Sequence, residues 1–188
     1  MPGAQESGDL HVIQGFSGGL LIGVMDGLGH GPEAAVASRI CASVLKGYSG
    51  EPLDAMVALC HERLHGSRGV ALSICTLNEK SSTWSWIGVG NVSCVLLRNG
   101  AHPRGAREFL MQRNGVVGGF MHKPTVSTLP ALPEDVMVLA TDGIRTDFSY
   151  ALNLAGTPQQ VAERILDTHA TGKDDALTLV ARYTGGPQ

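Results

Sequence analysis

The 188-residue chain has no Cys-x-x-Cys pair, no cluster of Lys and Arg, and no apolar run near the ~20 residues of a membrane span. Each absence removes a class. The net charge of −3 gives no basic field for nucleic acid, and the acidic excess is too small to select a basic partner. No charged segment followed by an apolar run opens the chain, so no signal peptide is read, and a soluble cytoplasmic protein is expected. Cys41, Cys60, Cys75 and Cys94 each sit in apolar sequence and read as buried free thiols. There is no Gly-Lys-Ser/Thr phosphate loop, no Gly-x-Gly-x-x-Gly fingerprint and no Cys-x5-Arg nucleophile loop. Repeats and low-complexity linkers are also missing, and the length suits one domain over 1–188.

What is present begins with strands. Residues 10–16 and 20–25 are apolar and separated by Ser17-Gly18-Gly19, the pattern of a hairpin. A glycine-rich loop at 26–31 precedes Pro32 and Glu33, and helical spacing follows over 32–47. A second helix is expected from Pro52 to about His65. Segments 69–77, 83–89 and 92–98 read as a β-meander, with Gly88-Val89-Gly90 as a hairpin turn. Strands follow at 125–129 and 135–141, a helix at 158–170 with Thr157 as N-cap and Pro158 at its first position, and a last strand at 176–183. Regular βαβ alternation is absent, so the pattern predicts an α+β protein with mostly antiparallel sheet and helices packed outside. Residues 101–124, rich in Gly, Arg and His, read either as a loop over the site or docking surface, or as a plain connection.

The aspartates fall at strand ends. Asp9 precedes the first strand, Asp26 ends the second, Asp142 ends another, and Asp174-Asp175 precede the last. Taken singly, Asp-Gly is a turn signal. Jointly, carboxylates meeting at one sheet edge would repel, and a divalent cation removes the conflict. Carboxylate and carbonyl oxygens are hard ligands that select Mg²⁺ or Mn²⁺. Gly27, Gly29 and Gly31 can take positive φ, and the tight fold this allows could aim a backbone carbonyl, such as that of Gly27, at the ion.

Ser7-Gly8-Asp9, Asp26-Gly27-x-Gly29-x-Gly31, Thr141-Asp142-Gly143-Ile144 and Asp174-Asp175, in this order from position 7 to about 182, resemble the PPM (PP2C-type) protein phosphatases. Within them they look like the compact bacterial branch that includes SpoIIE and the RsbX-type stressosome phosphatases. The resemblance implies an αββα sandwich of two antiparallel sheets flanked by helices. It implies two ions, Mn²⁺ or Mg²⁺, with Asp26 bridging both and the Gly27 carbonyl on one. Asp142 and Asp174 would hold one ion, and Asp9 would contribute directly or through water. A gapless match to Arg182 favours Asp174 as the ligand, with Asp175 behind it; a match on Thr178 reverses them. The implied chemistry is hydrolysis of phosphoserine or phosphothreonine by a metal-activated water, without a phosphoenzyme.

Two positions depart from the family pattern. Leu28 stands where many members carry histidine, which leaves His30 as a candidate general acid against the plainer reading of a solvated loop residue. No N-terminal arginine is identified as a phosphate clamp; Arg145 is a substitute candidate, the start of the helix at Pro32 another. The implied partners are phosphorylated stressosome scaffold proteins, acted on by a monomer. The alternatives are a phosphorylated anti-sigma-factor antagonist, or an inactive binding module of the same fold.

Overall fold

The computed structural model describes residues 6–98, 107–150 and 152–185, so positions 101–106 of the Gly/Arg/His-rich segment lie outside the described residues. The elements run β1 (Asp9–Phe16), β2 (Gly19–Gly27), α1 (Pro32–Gly47), α2 (Leu53–Arg63), β3 (Val70–Asn78), β4 (Thr83–Val89), β5 (Ser93–Leu97), β6 (Arg107–Phe109), β7 (Ser127–Pro130) and β8 (Val136–Ala140). A 3₁₀ turn (Thr146–Tyr150), α3 (Pro158–His169) and β9 (Thr178–Arg182) complete the chain. Among the described residues the strands make two antiparallel sheets, in the orders β1-β2-β3-β4-β7 and β6-β5-β8-β9.

Strand period explains the layers. Along β2 and β3, Leu21, Met25, Leu72 and Ile74 face α1 and α2, while Ile22, Val24, Ala71 and Cys75 face the other sheet. Along β5 and β8, Cys94, Leu96, Met137 and Leu139 join that central layer, and Val95, Leu97, Val136 and Val138 pack under α3. Three apolar layers therefore alternate with two sheets and two helical covers, which is the αββα sandwich expected. Strands buried on both faces read as continuous apolar runs, as β8 does.

The helix ends follow local chemistry. Glu33 and Lys46 sit at the ends of α1 that the helix dipole favours, and Pro32 opens it. Thr157 and Gln160 form a capping box on α3: Thr157 Oγ1 accepts the Gln160 N–H at 3.2 Å and Gln160 Oε1 accepts the Thr157 N–H at 2.9 Å. All four cysteines are buried and free, with Cys41–Cys60 and Cys75–Cys94 as sulfur neighbours at 3.7 and 3.5 Å. No helix among the described residues is long and apolar enough to cross a membrane.

The expected meander is corrected at one point. β3 and β4 pair, but β5 leaves that sheet and pairs with β6 and β8. Gly88 and Val89 are therefore the end of β4, and Gly90 opens a crossover between sheets, not a hairpin turn. The chain turns at Gly90, with φ +93°, where an added Cβ would lie 2.6 Å from the Ala71 Cβ. β6 and the 3₁₀ turn were not anticipated. Both are short, and β6 is an edge strand held by three register pairs.

Candidate metal centre

The β1–β2 hairpin ends on Asp9 opposite Asp26, with Ala71 of β3 next in the row. Gly8, just before, is the local anchor. Its carbonyl accepts the Gly27 N–H at 3.1 Å and the Ser38 hydroxyl at 2.5 Å, which ties β1 to the end of β2 and to α1. Gly27 is required by close approach: a Cβ there would meet the Ala34 carbonyl oxygen at 2.2 Å. It does not take positive φ, whereas Gly29 and Gly31 do, at +86° and +80°. The expectation for Gly27 is thus corrected from turn geometry to packing under the first turn of α1.

The second sheet delivers the other acids. Thr141, directly after β8, donates its hydroxyl to Asp9 Oδ2 at 2.7 Å and accepts the Leu177 N–H at 2.9 Å. One hydroxyl thereby joins the end of β1 to the strands of the opposite sheet. Asp142 follows, exposed, its Oδ2 accepting an amide N–H of Asn91 at 2.7 Å. Gly143 lets the Asp142 turn lie on the loop before β9, since a Cβ there would meet the Asp175 carbonyl oxygen at 1.9 Å. In that loop the two acids differ. Asp175 Oδ2 accepts the Gly8 N–H at 2.9 Å, and Asp174 is exposed with Oδ1 on the Asp175 N–H at 2.9 Å.

Crowding shows in the titration. Asp26 is pushed up to about 7, first by burial and then by Asp9, Asp142, Asp174 and Asp175. Asp9 is pushed up to about 6 by burial, against the Thr141 hydrogen bond that lowers it, with Asp175, Asp142 and Asp174 adding repulsion. Among the described residues no three His, Cys, Asp or Glu side chains form a ready-made cage for an ion. An ion here would rest on few carboxylates, with a carbonyl and waters completing its shell. Oxygen donors of this kind suit a hard divalent cation. A hard, acidic, oxygen-only donor set repelling itself fits such an ion.

Asp26, Asp142 and Asp174 line one cleft of about 480 Å³, with Leu28, Gly29, His30, Gly90 and Asn91 on its walls. Asn114, Gly115 and Val116 close another side, so part of the 101–124 segment does cover the site. His30 is exposed on the rim. Arg145 is not brought in: its guanidinium pairs with Asp147 at 3.4 Å and donates to the Thr168 carbonyl at 3.0 Å, which fastens the 3₁₀ turn to α3. Sequence reasoning missed Asn91 and gave Thr141 no role. Both act through contacts distant in sequence, Thr141 with Asp9 across 132 positions.

The family model for stage II sporulation protein E (SpoIIE) matches residues 17–184. The phosphoserine phosphatase RsbX of Bacillus subtilis (strain 168) is 23% identical over 174 residues, covering 92% of this chain and 85% of RsbX. A chain from a solved structure of the bacterial stressosome superposes with a TM-score of 0.85 at 25% identity, covering 94% of this chain and 92% of that one. RsbX solved in complex with magnesium superposes with a TM-score of 0.82 at 22% identity, covering 95% and 88%. The strand-end aspartates thus sit in a fold shared across all these proteins, and the chain belongs to the SpoIIE family.

Proposed function

We propose that the protein is a metal-dependent phosphoserine/phosphothreonine protein phosphatase working as one domain, and that its substrates are phosphorylated scaffold proteins of a stressosome. The observation that carries the reading is the meeting of Asp26, Asp142 and Asp174 in one cleft, with Asp9 beside Asp26. RsbX, a phosphoserine phosphatase, and the stressosome chain support the substrate class.

Asp26, Asp142, Asp174 and the Gly27 carbonyl would hold the ions, with Asp9 contributing directly or through water. Mn²⁺ or Mg²⁺ held there would supply an activated water and neutralise the charge of the phosphate. The chain's own residues do the rest. Thr141 holds Asp9, Asp175 holds Gly8, and both latches fix the two sheet ends against each other. The cleft is open to solvent, with Leu28, His30, Asn91, Asp142 and Asp174 all exposed, as a phosphoserine carried on a folded protein requires. His30, which lines the cleft, would be the general acid that gives a proton to the departing serine oxygen.

The test is hydrolysis of an aryl phosphate and of a phosphoserine protein, with and without Mn²⁺, by the parent and Asp26→Asn. Metal-dependent turnover in the parent and its loss in the variant are expected. A parent without metal-dependent turnover sinks the activity, and a fully active variant sinks the site.

A further inference from the structure

Asn91 occupies the crossover from β4 to β5 and is pinned on both sides. Gly90 before it donates its N–H to the Arg113 carbonyl at 2.9 Å and packs against Ala71. Val92 after it is fully buried, and its carbonyl accepts the Ser73 hydroxyl at 2.6 Å. The side chain between these anchors lines the cleft and donates Nδ2–H to Asp142 Oδ2 at 2.7 Å. That is a charge-assisted length. Asp142 Oδ1 takes no part in that bond.

We infer that Asn91 is a positioning residue of the metal centre, fixing Asp142 so that a single carboxylate oxygen, Oδ1, is presented to the cation. The inference rests on Asp142 being a ligand. The backbone at Asp142 is held between buried Thr141 and Gly143, with the Ile144 N–H on the Thr141 carbonyl at 3.0 Å and the Thr171 N–H on the Gly143 carbonyl at 2.8 Å, but the Asp142 side chain is exposed, and without a donor its carboxylate could rotate and offer either oxygen. A neutral amide suits the task. It fills one oxygen without adding charge to a site where five carboxylates already repel. Outer donors of this kind orient ligands, and their loss weakens metal binding by about 10–100-fold.

The test compares the parent with Asn91→Leu, which keeps the shape without the donor, and Asn91→His, whose ring Nδ1–H stands where the amide N–H stood. Mn²⁺ affinity is measured by calorimetry on metal-stripped protein, with kcat and KM on a phosphoserine protein at saturating Mn²⁺. The expected result for Asn91→Leu is Mn²⁺ affinity about 10-fold weaker or worse. Lower kcat, unchanged KM, an unchanged melting temperature in EDTA, and recovery of affinity in Asn91→His are also expected. Leucine-variant affinity within twofold of the parent overturns the inference. So does a rise in KM alone, which would place Asn91 on the substrate, or equal loss in both variants. If Asn91→Leu does not fold, Asn91→Ala takes its place with the same readings. A parent that binds no Mn²⁺ refutes the metal centre itself, which is a separate failure.

Discussion

Asp9 and Asp26 face each other as the last register pair of the β1–β2 hairpin, two carboxylates side by side on neighbouring strands. Residues in that relation hold their Cβ atoms about 4.5–5.5 Å apart, and like charges there destabilise a sheet. Both are also half-buried, so neither is well hydrated. A hairpin selected for stability alone would not end this way. The pair makes sense as a cation site whose cost is borne by the metal-free protein.

That cost is measurable. With EDTA at pH 8, Asp26→Asn is expected to melt above the parent, because one of two facing charges is gone. Mn²⁺ should reverse the order, stabilising the parent by about 2.7 kcal/mol at one hundred times its dissociation constant and leaving the variant nearly unmoved. Thermal melts with and without Mn²⁺ decide it. A parent indifferent to Mn²⁺ contradicts the site.

The same pair sets a pH dependence. In the fold Asp26 titrates at about 7 and Asp9 at about 6, against an ordinary value of 3.8. Between pH 4 and 7 the folded chain binds more protons at these groups than the unfolded chain. Their contribution to metal-free stability is therefore complete below about pH 4 and is lost as pH rises through 6 and 7. Mn²⁺ competes with those protons, so its affinity should fall as pH drops from 8 to 5.5, with protons released on binding. Calorimetry in buffers of different ionisation enthalpy reads the release directly. No release at pH 6 would show that these two groups stay outside the metal's reach.

Gly143 carries a steric prediction. Its missing Cβ is the space taken by the Asp175 carbonyl, 1.9 Å from where that atom would be. Gly143→Ala must push the Asp142 turn away from the Asp174–Asp175 loop. A destabilisation of about 1–3 kcal/mol is expected, as for overpacking generally. Activity should fall further than stability does, since the two segments separated are two of the three that bring a carboxylate to the cleft. Chemical denaturation beside kcat measures both.

His30 separates by leaving group. An aryl phosphate loses a weakly basic phenolate that needs little protonation, whereas the serine alkoxide needs a proton. His30→Ala is expected to slow the phosphoserine protein at least ten-fold while leaving the aryl phosphate within about twofold. Equal rates on both substrates would return His30 to a solvated loop residue.

How far the sequence reached can be read from single residues. α1 starts at Pro32 because Gly31, Pro32 and Glu33 carry local signals, and Thr157-Pro158 announce α3 in the same way. Short apolar runs placed β2, β3 and β8, and the aspartates at the ends of β2 and β8 pointed to the site. β5 was assigned to the wrong sheet because period reports burial, not the partner strand. Ser93 opposite Ala140 and Gly19 opposite Asn78 are decided by the whole chain. Asn91 was invisible for the same reason: nothing near position 91 announces a carboxylate at 142.

Asp174 and Asp175 could not be separated by spacing, and the structure supplies the physical distinction. Asp175 is half-buried with Oδ2 committed to the Gly8 N–H, while Asp174 is exposed on the cleft wall. Asp174→Asn should lower kcat by more than 100-fold and weaken Mn²⁺ binding, with metal-free stability unchanged or raised by the lost repulsion. Asp175→Asn keeps an oxygen for the Gly8 N–H and should cost little, whereas Asp175→Ala removes the latch and should destabilise on the order of 1 kcal/mol. Activity in the alanine variant then falls because β1, and Asp9 with it, loses its hold on the opposite sheet. The reverse pattern, with Asp175→Asn losing Mn²⁺ and Asp174→Asn active, would move the ligand one residue along the chain and make Asp174 a bystander.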